Sequence, residues 1–255
     1  MAPNGRALKV TTPQPRKAAV AARKPAAKPK AVAKSPERKR DPDRTRASIL
    51  AAAVHEFSQR GYEGARVDAI TKRAKVNKRM LYHYFGGKDG LYLAVLEGRY
   101  QAIRSAEAAL DLTHRDPIEG MRNLIHFTWS YFLDHPEFLS ILATENQHRA
   151  RFLKQSDRIV QLNSPLIDAI RMVLNHGVEQ KVFRGGVDPV QLYISIAALS
   201  YFFLGNNHTL SAVFGRDLSS LAARRERLAH MAQMIDGYLR PERPSRAAAK
   251  RGRRS

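Results

Sequence analysis

Four side chains able to donate to an anion or stack on a base, Lys78, Arg79, Tyr82 and His83, stand within six residues of one another. At offsets i, i+1, i+4 and i+5 they share one face of a helix, while Val76, Leu81 and Phe85 lie opposite. The major groove of DNA admits one helix. There Arg79 and Lys78 offer donors to guanine edges, and the rings can touch thymine methyls or phosphates. The same spacing also suits a solvated amphipathic helix whose cations only keep it soluble, and spacing alone leaves both readings open.

The elements that would position this face are legible in the pattern around it. Asp-Pro recurs at 41–42, 116–117 and 188–189, each time before a helical pattern, with Asp suited to cap and Pro to the first turn. After the first pair, Ile49, Leu50, Ala53 and Phe57 repeat at helical spacing until Gly61, a residue suited to a left-handed helix end. Short patterns at Val67, Ile70 and Ala74, and at Leu81 and Phe85, flank a turn near 75–77, with Asn77 placed to cap the second. This layout is a helix-turn-helix. Further helices are expected over 88–110, 117–134, 136–149, 152–181 with a break at Ser164-Pro165, 188–206 and 216–239. No period-two alternation bounded by turn residues occurs, so the expected class is all-α.

Charge is concentrated at the ends. Residues 1–40 hold 12 Lys/Arg against one acid and 240–255 hold seven against one, together 17 of the net +21. Residues 41–90 carry ten basic and six acidic side chains, whereas 91–239 carry 15 of each. The N-terminal part therefore suits a polyanion, and the rest a neutral partner or none. The Ala, Lys, Pro and Arg composition of 1–40 cannot bury enough apolar surface to offset chain entropy. The expected organisation is a disordered basic tail over 1–40, a helix-turn-helix domain over 41–90, a larger helical domain over 91–239 and a second disordered basic tail over 240–255. Either the tails tether DNA by counterion release or they are solvated ends.

The chain has no cysteine, which excludes a disulfide framework and a thiolate zinc site and fits a reducing compartment. The apolar run YISIAALSYFFL at 193–204 is too short to span a bilayer, so no membrane partner is expected. No HExxH, phosphate-binding glycine loop, dinucleotide fingerprint or GxSxG elbow occurs, and Glu145 with His148 lacks a third ligand in sequence. No catalytic residue, metal site or cofactor is expected.

Residues 44–103, beginning RTRASILAAAVHEFSQRGYEGARVDAITKRAKVNKRMLYHYFGGKDGLYLAVL, resemble the N-terminal domain of the TetR family of transcriptional regulators. Ala52, Phe57, Gly61, Val67, Ile70, Ala74, Val76, Leu81, Tyr82, Phe85, Lys88 and Leu91 fall in register with that family's pattern. The resemblance implies that the helix at 78–84 enters the major groove. It places Lys78, Arg79, Met80, Tyr82 and His83 at base-facing positions and Tyr84 and Lys88 at phosphate-facing ones, with Thr45, Arg46 and Arg66 as further phosphate candidates. Three positions depart from the pattern: Lys75 where Gly is usual in the turn, Ala65-Arg66 where a Ser/Thr cap is common, and Gly87 where Ser often caps.

The segments HPEFLSILATENQHRARFL and GVDPVQLYISIAALSYFFLGNNHTLSAVFG resemble members of this family that regulate aromatic and heterocyclic catabolism. This implies a helical effector-binding and dimerising domain whose helices at 188–206 and 216–239 pair with a second subunit, Ser195, Ala198 and Ser200 allowing close packing. Within 117–134, IHFTWSYFL is apolar on every side yet carries His126, Thr128 and Ser130, and buried polar groups need partners. With Trp129, Glu145, Asn146, His148, Met172, Tyr201 and Asn206 they are candidates to line a site for a small aromatic or heterocyclic effector. A core histidine at 126 and a packing tryptophan at 129 are the alternative readings. The expected function is that of a cytoplasmic, nucleoid-associated homodimer, a ligand-responsive repressor that binds a near-palindromic operator and is released by its effector. An effector-independent nucleoid-associated or division-linked DNA binder of the same fold is the alternative.

Overall fold

The three Asp-Pro pairs open three helices, as their chemistry dictates. Asp41 accepts from the Asp43 amide at 3.0 Å, Asp116 from Ile118 and Glu119 at 3.0 and 3.2 Å, and Asp188 from Val190 and Gln191 at 2.8 and 3.4 Å. Each carboxylate satisfies amides that a helix start would otherwise leave without partners. The computed structural model describes residues 41–241, and the regular elements among them are all helical. The tail expected over 1–40, and all but the first two residues of that expected over 240–255, lie outside the described residues.

In chain order the helices are α1 (Pro42–Gly64), α2 (Val67–Ala74), α3 (Lys78–Phe85), α4 (Lys88–Ala108), α5 (Pro117–Asp134), α6 (Pro136–Gln147), α7 (Asp157–Glu179), α8 (Pro189–Phe214) and α9 (Leu221–Leu239). Single 3-10 turns stand at Leu112–His114 and Leu153–Gln155. Gly61 has φ 64°, and α1 kinks there and runs one turn further than its apolar pattern suggests.

The first core is assembled around α1. Ile49, Ala53 and Phe57 meet Ile70 of α2, Leu81 of α3 and Leu91, Tyr92 and Val95 of α4, with Ile141 of α6 and Phe152 closing the far side. Burying each large side chain contributes roughly 1.5–3 kcal/mol, and only this shared core can hold two eight-residue helices, too short to persist alone. A boundary at residue 90 would pass through these contacts. Farther along, Ile103 of α4 joins Tyr131, Phe132 and Phe138, so one helix runs from the first core into the apolar clusters of the larger half. Those clusters are built by Leu124, Ile125 and Trp129 of α5, Ile170 and Val173 of α7, Ile196 and Phe203 of α8, and Met231 and Ile235 of α9.

Several expected helix limits change. α7 starts at 157 rather than 152, after the 3-10 turn, and runs unbroken through Pro165. A proline removes one helical hydrogen bond, and the buried contacts of Ile159 on one side and Leu166 and Ile170 on the other outweigh that loss. α8 continues beyond residue 206 to Phe214 and ends at left-handed Gly215, and α9 starts at 221, where Ser220 caps it by accepting from the Ala223 amide. The polar residues Asn206, Thr209 and Ser211 do not end α8, because their side chains donate to carbonyls three or four residues earlier in the same helix.

Candidate nucleic-acid interface and small-molecule site

α3 is held at both ends by backbone chemistry. Asn77 caps it by accepting from the Arg79 amide at 2.9 Å, and Gly86, at φ 71°, ends it. Lys75, in the turn before it, adopts φ 55° and ψ 41°, the left-handed geometry that a glycine accepts freely and a lysine at about 1 kcal/mol. The Ala74 carbonyl beside it accepts from Ser48 of α1 at 3.0 Å, tying the turn to the core. On the C-terminal side, a Cβ on Gly90 would lie 2.1 Å from the Phe85 carbonyl, so α4 approaches α3 as closely as it does only because position 90 has no side chain. Neither Arg66 nor Gly87 supplies a side-chain cap. At the start of α2 the buried Glu56 accepts from the amide of Arg66 itself at 3.3 Å.

With Leu81 fully buried, α3 turns Lys78, Arg79, Tyr82 and His83 outward, and Tyr82 is 47% exposed. Lys78 pairs with Asp68 of α2 at 2.9 Å, and that hydrogen bond raises its pKa. Arg79 makes no ion pair among the described residues. Met80 and Tyr84, expected to face bases and phosphate, are half-buried against the first core. Thr45 is withdrawn altogether: it is buried and its hydroxyl donates to the Asp41 carbonyl at 3.0 Å. Lys88 folds back over the Tyr62 ring at 4.7 Å and donates to the Glu63 carbonyl at 3.2 Å, so its ammonium is already engaged. Arg46 and Arg66 are exposed, Arg46 lying over Phe85 at 5.4 Å.

A second concentration of polar chemistry lies inside the larger half. Arg104 and Glu107 of α4 are 9% and 3% exposed and hydrogen-bond to each other. The Tyr193 hydroxyl of α8 accepts from Arg104 Nη2 at 2.9 Å and lies 3.4 Å from Glu107 Oε1, to which it donates. Burial pushes the Glu107 carboxyl up to about 7, although Arg104 and Tyr193 both favour its ionised form. Burial likewise pushes the Tyr193 hydroxyl up to about 12, with the Glu107 charge adding to it. The trio stands between two cavities of about 350 Å³ each, both lined by Arg104 and Leu166. One opens toward Gln101, Ser105 and Asp111, and the other runs among Tyr100, Phe132 and Phe138. These volumes suit a small organic molecule.

Residues 49–95 match the family described as bacterial regulatory proteins, tetR family, and residues 117–235 match the tetracyclin repressor-like C-terminal domain. The chain is 38% identical over 192 residues to the HTH-type transcriptional repressor NicS of Pseudomonas putida, covering 75% of this chain and 91% of that one. The chain belongs to the TetR family. The HTH-type transcriptional repressor SCO4008 of Streptomyces coelicolor is 37% identical over 108 residues, 42% of this chain and 52% of that one. The ketosteroid transcriptional regulator KstR2 of Mycobacterium tuberculosis shares the fold, with a TM-score of 0.56 and 22% identity, covering 77% of this chain and 95% of that one. This TetR-family chain is thus a DNA-binding, ligand-responsive transcriptional regulator of the repressor type.

The residues that the sequence nominates for a small-molecule site lie away from these two cavities. His126 and Ser130 are exposed, because α5 keeps a solvent face and is not apolar all round, and Thr128 is buried with its hydroxyl donating to the Leu124 carbonyl. Trp129 is a packing residue, its ring 5.7 Å from Phe203. Glu145 is buried, but its Oε1 accepts from the Phe152 and Leu153 amides at 2.8 and 2.9 Å, which fixes the 3-10 turn after α6. His148 is joined through Nδ1 to the Thr144 carbonyl at 2.8 Å and lies 3.4 Å from Glu63 of α1. Asn146 and Met172 are exposed, Tyr201 is half-buried beside Phe132 and Phe138, and Asn206 donates to the Phe202 carbonyl within α8. None of these ten residues lines either cavity. The residues missed are Arg104, Glu107 and Tyr193. Their one sequence signal is a charged pair at i, i+3 beside Tyr100 and Ile103, on what is otherwise the apolar stripe of α4.

Proposed function

We propose that this regulator works as a homodimer, that two copies of α3 read successive major grooves of a near-palindromic operator, and that a small molecule held beside Arg104 releases them. The observation that carries this reading is the outward face of α3, where Lys78, Arg79, Tyr82 and His83 stand clear of the core that Leu81 anchors. Bases are read by Arg79 with Lys78, Tyr82 and His83, while Arg46 and Arg66 supply phosphate contacts. No helix among the described residues is long and apolar enough to cross a membrane, and the proposed place of action is the cytoplasm, on the chromosome.

The dimer face follows from α8. Val190, Ile194, Ala198 and Phe202 follow one another at steps of four residues, and Phe202 and, nearer the end of the helix, Phe214 are 59% and 66% exposed. Met234 and Tyr238 of α9 are exposed as well. Large apolar side chains in such a row suit a four-helix contact with a second subunit. Ser195 and Ala198 are exposed and available to such a contact, whereas Ser200 is buried within its own chain. Because α4 carries Leu91 and Tyr92 in the first core and Arg104 at the cavities, a ligand that favours one tilt of α4 changes the separation of the two reading helices.

The test is genome-wide mapping of bound sites followed by binding to a recovered site in solution. The expected result is a short, two-fold-related sequence, bound by one dimer with half-sites about 34 Å apart. Uniform coverage of the chromosome would instead support an effector-independent packaging role.

A further inference from the structure

We infer that the effector is a small aromatic carboxylate whose ring occupies the cavity among Tyr100, Phe132 and Phe138 and whose carboxylate binds the Arg104 guanidinium. This inference rests on the reading of these cavities as the effector site and adds the chemistry of its occupant.

Arg104 is the reason. It is nine-tenths buried, its Nε is buried without a hydrogen-bond partner among protein atoms, and it lines both cavities. A guanidinium presents donors as a planar fork, and a carboxylate is the acceptor that matches it with two parallel bonds. Of the two cavities, the first is bordered by Asp111 as well as Glu107, and the Asp111 charge opposes an anion, while among the described residues Arg104 is the one charged side chain in the lining of the second. The second also supplies the rings of Tyr100, Phe132, Phe138 and Tyr193, suited to stack on or edge against an aromatic ligand.

Glu107 is what makes room for a second carboxylate. With Glu107 ionised the pair is neutral and an incoming anion leaves a net negative charge in a buried place. With Glu107 protonated, Arg104 is an uncompensated cation and the site becomes an anion receptor. Burial already holds this carboxyl near the switching point. The groups that act on it are Arg104 on its own helix and Tyr193 from α8, and Tyr131 of α5 feels its charge. The described α7 residues at the first cavity, among them Gln161, Leu166 and Ala169, are uncharged. Binding of the carboxylate is therefore coupled to proton uptake by Glu107. Affinity should rise as pH falls from 9 to 7, by up to about tenfold per unit, and level off below the Glu107 pKa, since the ligand itself stays ionised.

The experiment is calorimetric titration of the full chain with benzoate, 4-hydroxybenzoate and phenylacetate, each against its neutral amide, at pH 6.5, 7.5 and 8.5, with operator binding followed on the same samples. The inference expects at least one acid to bind ten times or more tightly than its amide, with the pH trend above. It also expects that preference to vanish in the double variant Arg104→Met with Glu107→Gln, which leaves neither buried charge alone. The conservative Tyr193→Phe should weaken the acid several-fold and leave the pH trend in place. Equal binding of acids and amides, or no binding of any acid, overturns the inference. Should the ligand-free protein bind its operator specifically in that case, the regulator reading stands without it, whereas a ligand-free protein that shows no specific operator binding sinks that reading instead.

Discussion

At the scale of single residues, the arrangement of α3 separates side chains that read from those that only hold. Arg79 is exposed and makes no ion pair among the described residues, so Arg79→Ala should leave the fold intact and cost about 1–3 kcal/mol of discrimination at one base position per half-site. Competition with operators altered one base at a time measures this, and an even loss across all sequences would mark Arg79 as a phosphate contact. Lys75 belongs to the holding class. Its left-handed φ of 55° makes Lys75→Gly a stabilising change of about 1 kcal/mol, opposed in part by the greater freedom of glycine in the unfolded chain. Thermal unfolding of the two proteins decides the sign. The positive φ required there was legible as a mismatch between a lysine and a turn that prefers glycine. The engagement of Lys88 with Tyr62 and the Glu63 carbonyl was not, because it depends on where α1 ends in space.

The helices themselves were mostly legible because their signals are local. A capping aspartate, a proline in the first turn and a 3.6-residue apolar period act within a few residues of one another, and α2, α3 and α5 fall where those signals put them. The errors lie where distant packing overrides a local preference, as at Pro165 within α7 and along the polar stretch that α8 carries through to Phe214. The junction of α3 and α4 is the element-scale feature on which DNA reading depends. Gly90→Ala would force a methyl to within 2.1 Å of the Phe85 carbonyl, so the two helices must separate. The expected consequences are a loss of about 2 kcal/mol or more in chemical denaturation and operator binding weakened beyond what Gly98→Ala produces, Gly98 being a helical glycine with open space around its Cα. Equal behaviour of the two variants would show that the close approach is unimportant.

At the scale of the whole molecule, the proposed activity needs two copies held together and a polyanion drawn in. Phe202→Glu places a charge in the middle of the apolar stripe of α8 and should give a monomer by analytical ultracentrifugation. Operator affinity should then fall by roughly 100-fold or more, because the second reading helix no longer binds at a high effective concentration. A dimer that survives this change would move the interface elsewhere. Deletion of residues 1–40, which carry 12 cations against one acid, should weaken binding to all DNA sequences alike. The slope of log affinity against log salt should flatten by about 0.9 for each phosphate contact removed. An altered operator preference with an unchanged slope would show that the segment reads bases.

What the amino-acid sequence determined by itself was the helical class, the helix starts that the three Asp-Pro pairs mark and the side of α3 that faces outward, because capping and amphipathic periodicity are properties of neighbouring residues. Which polar residues meet in the interior was decided only by the tertiary structure. His126, Trp129, Glu145 and His148 carry the chemically suggestive side chains, yet Arg104, Glu107 and Tyr193 are the ones brought together, from positions up to 89 residues apart in the chain. A buried polar group is stabilised by the partner that folding places beside it, and the spacing of residues along α4 or α8 holds no record of that partner.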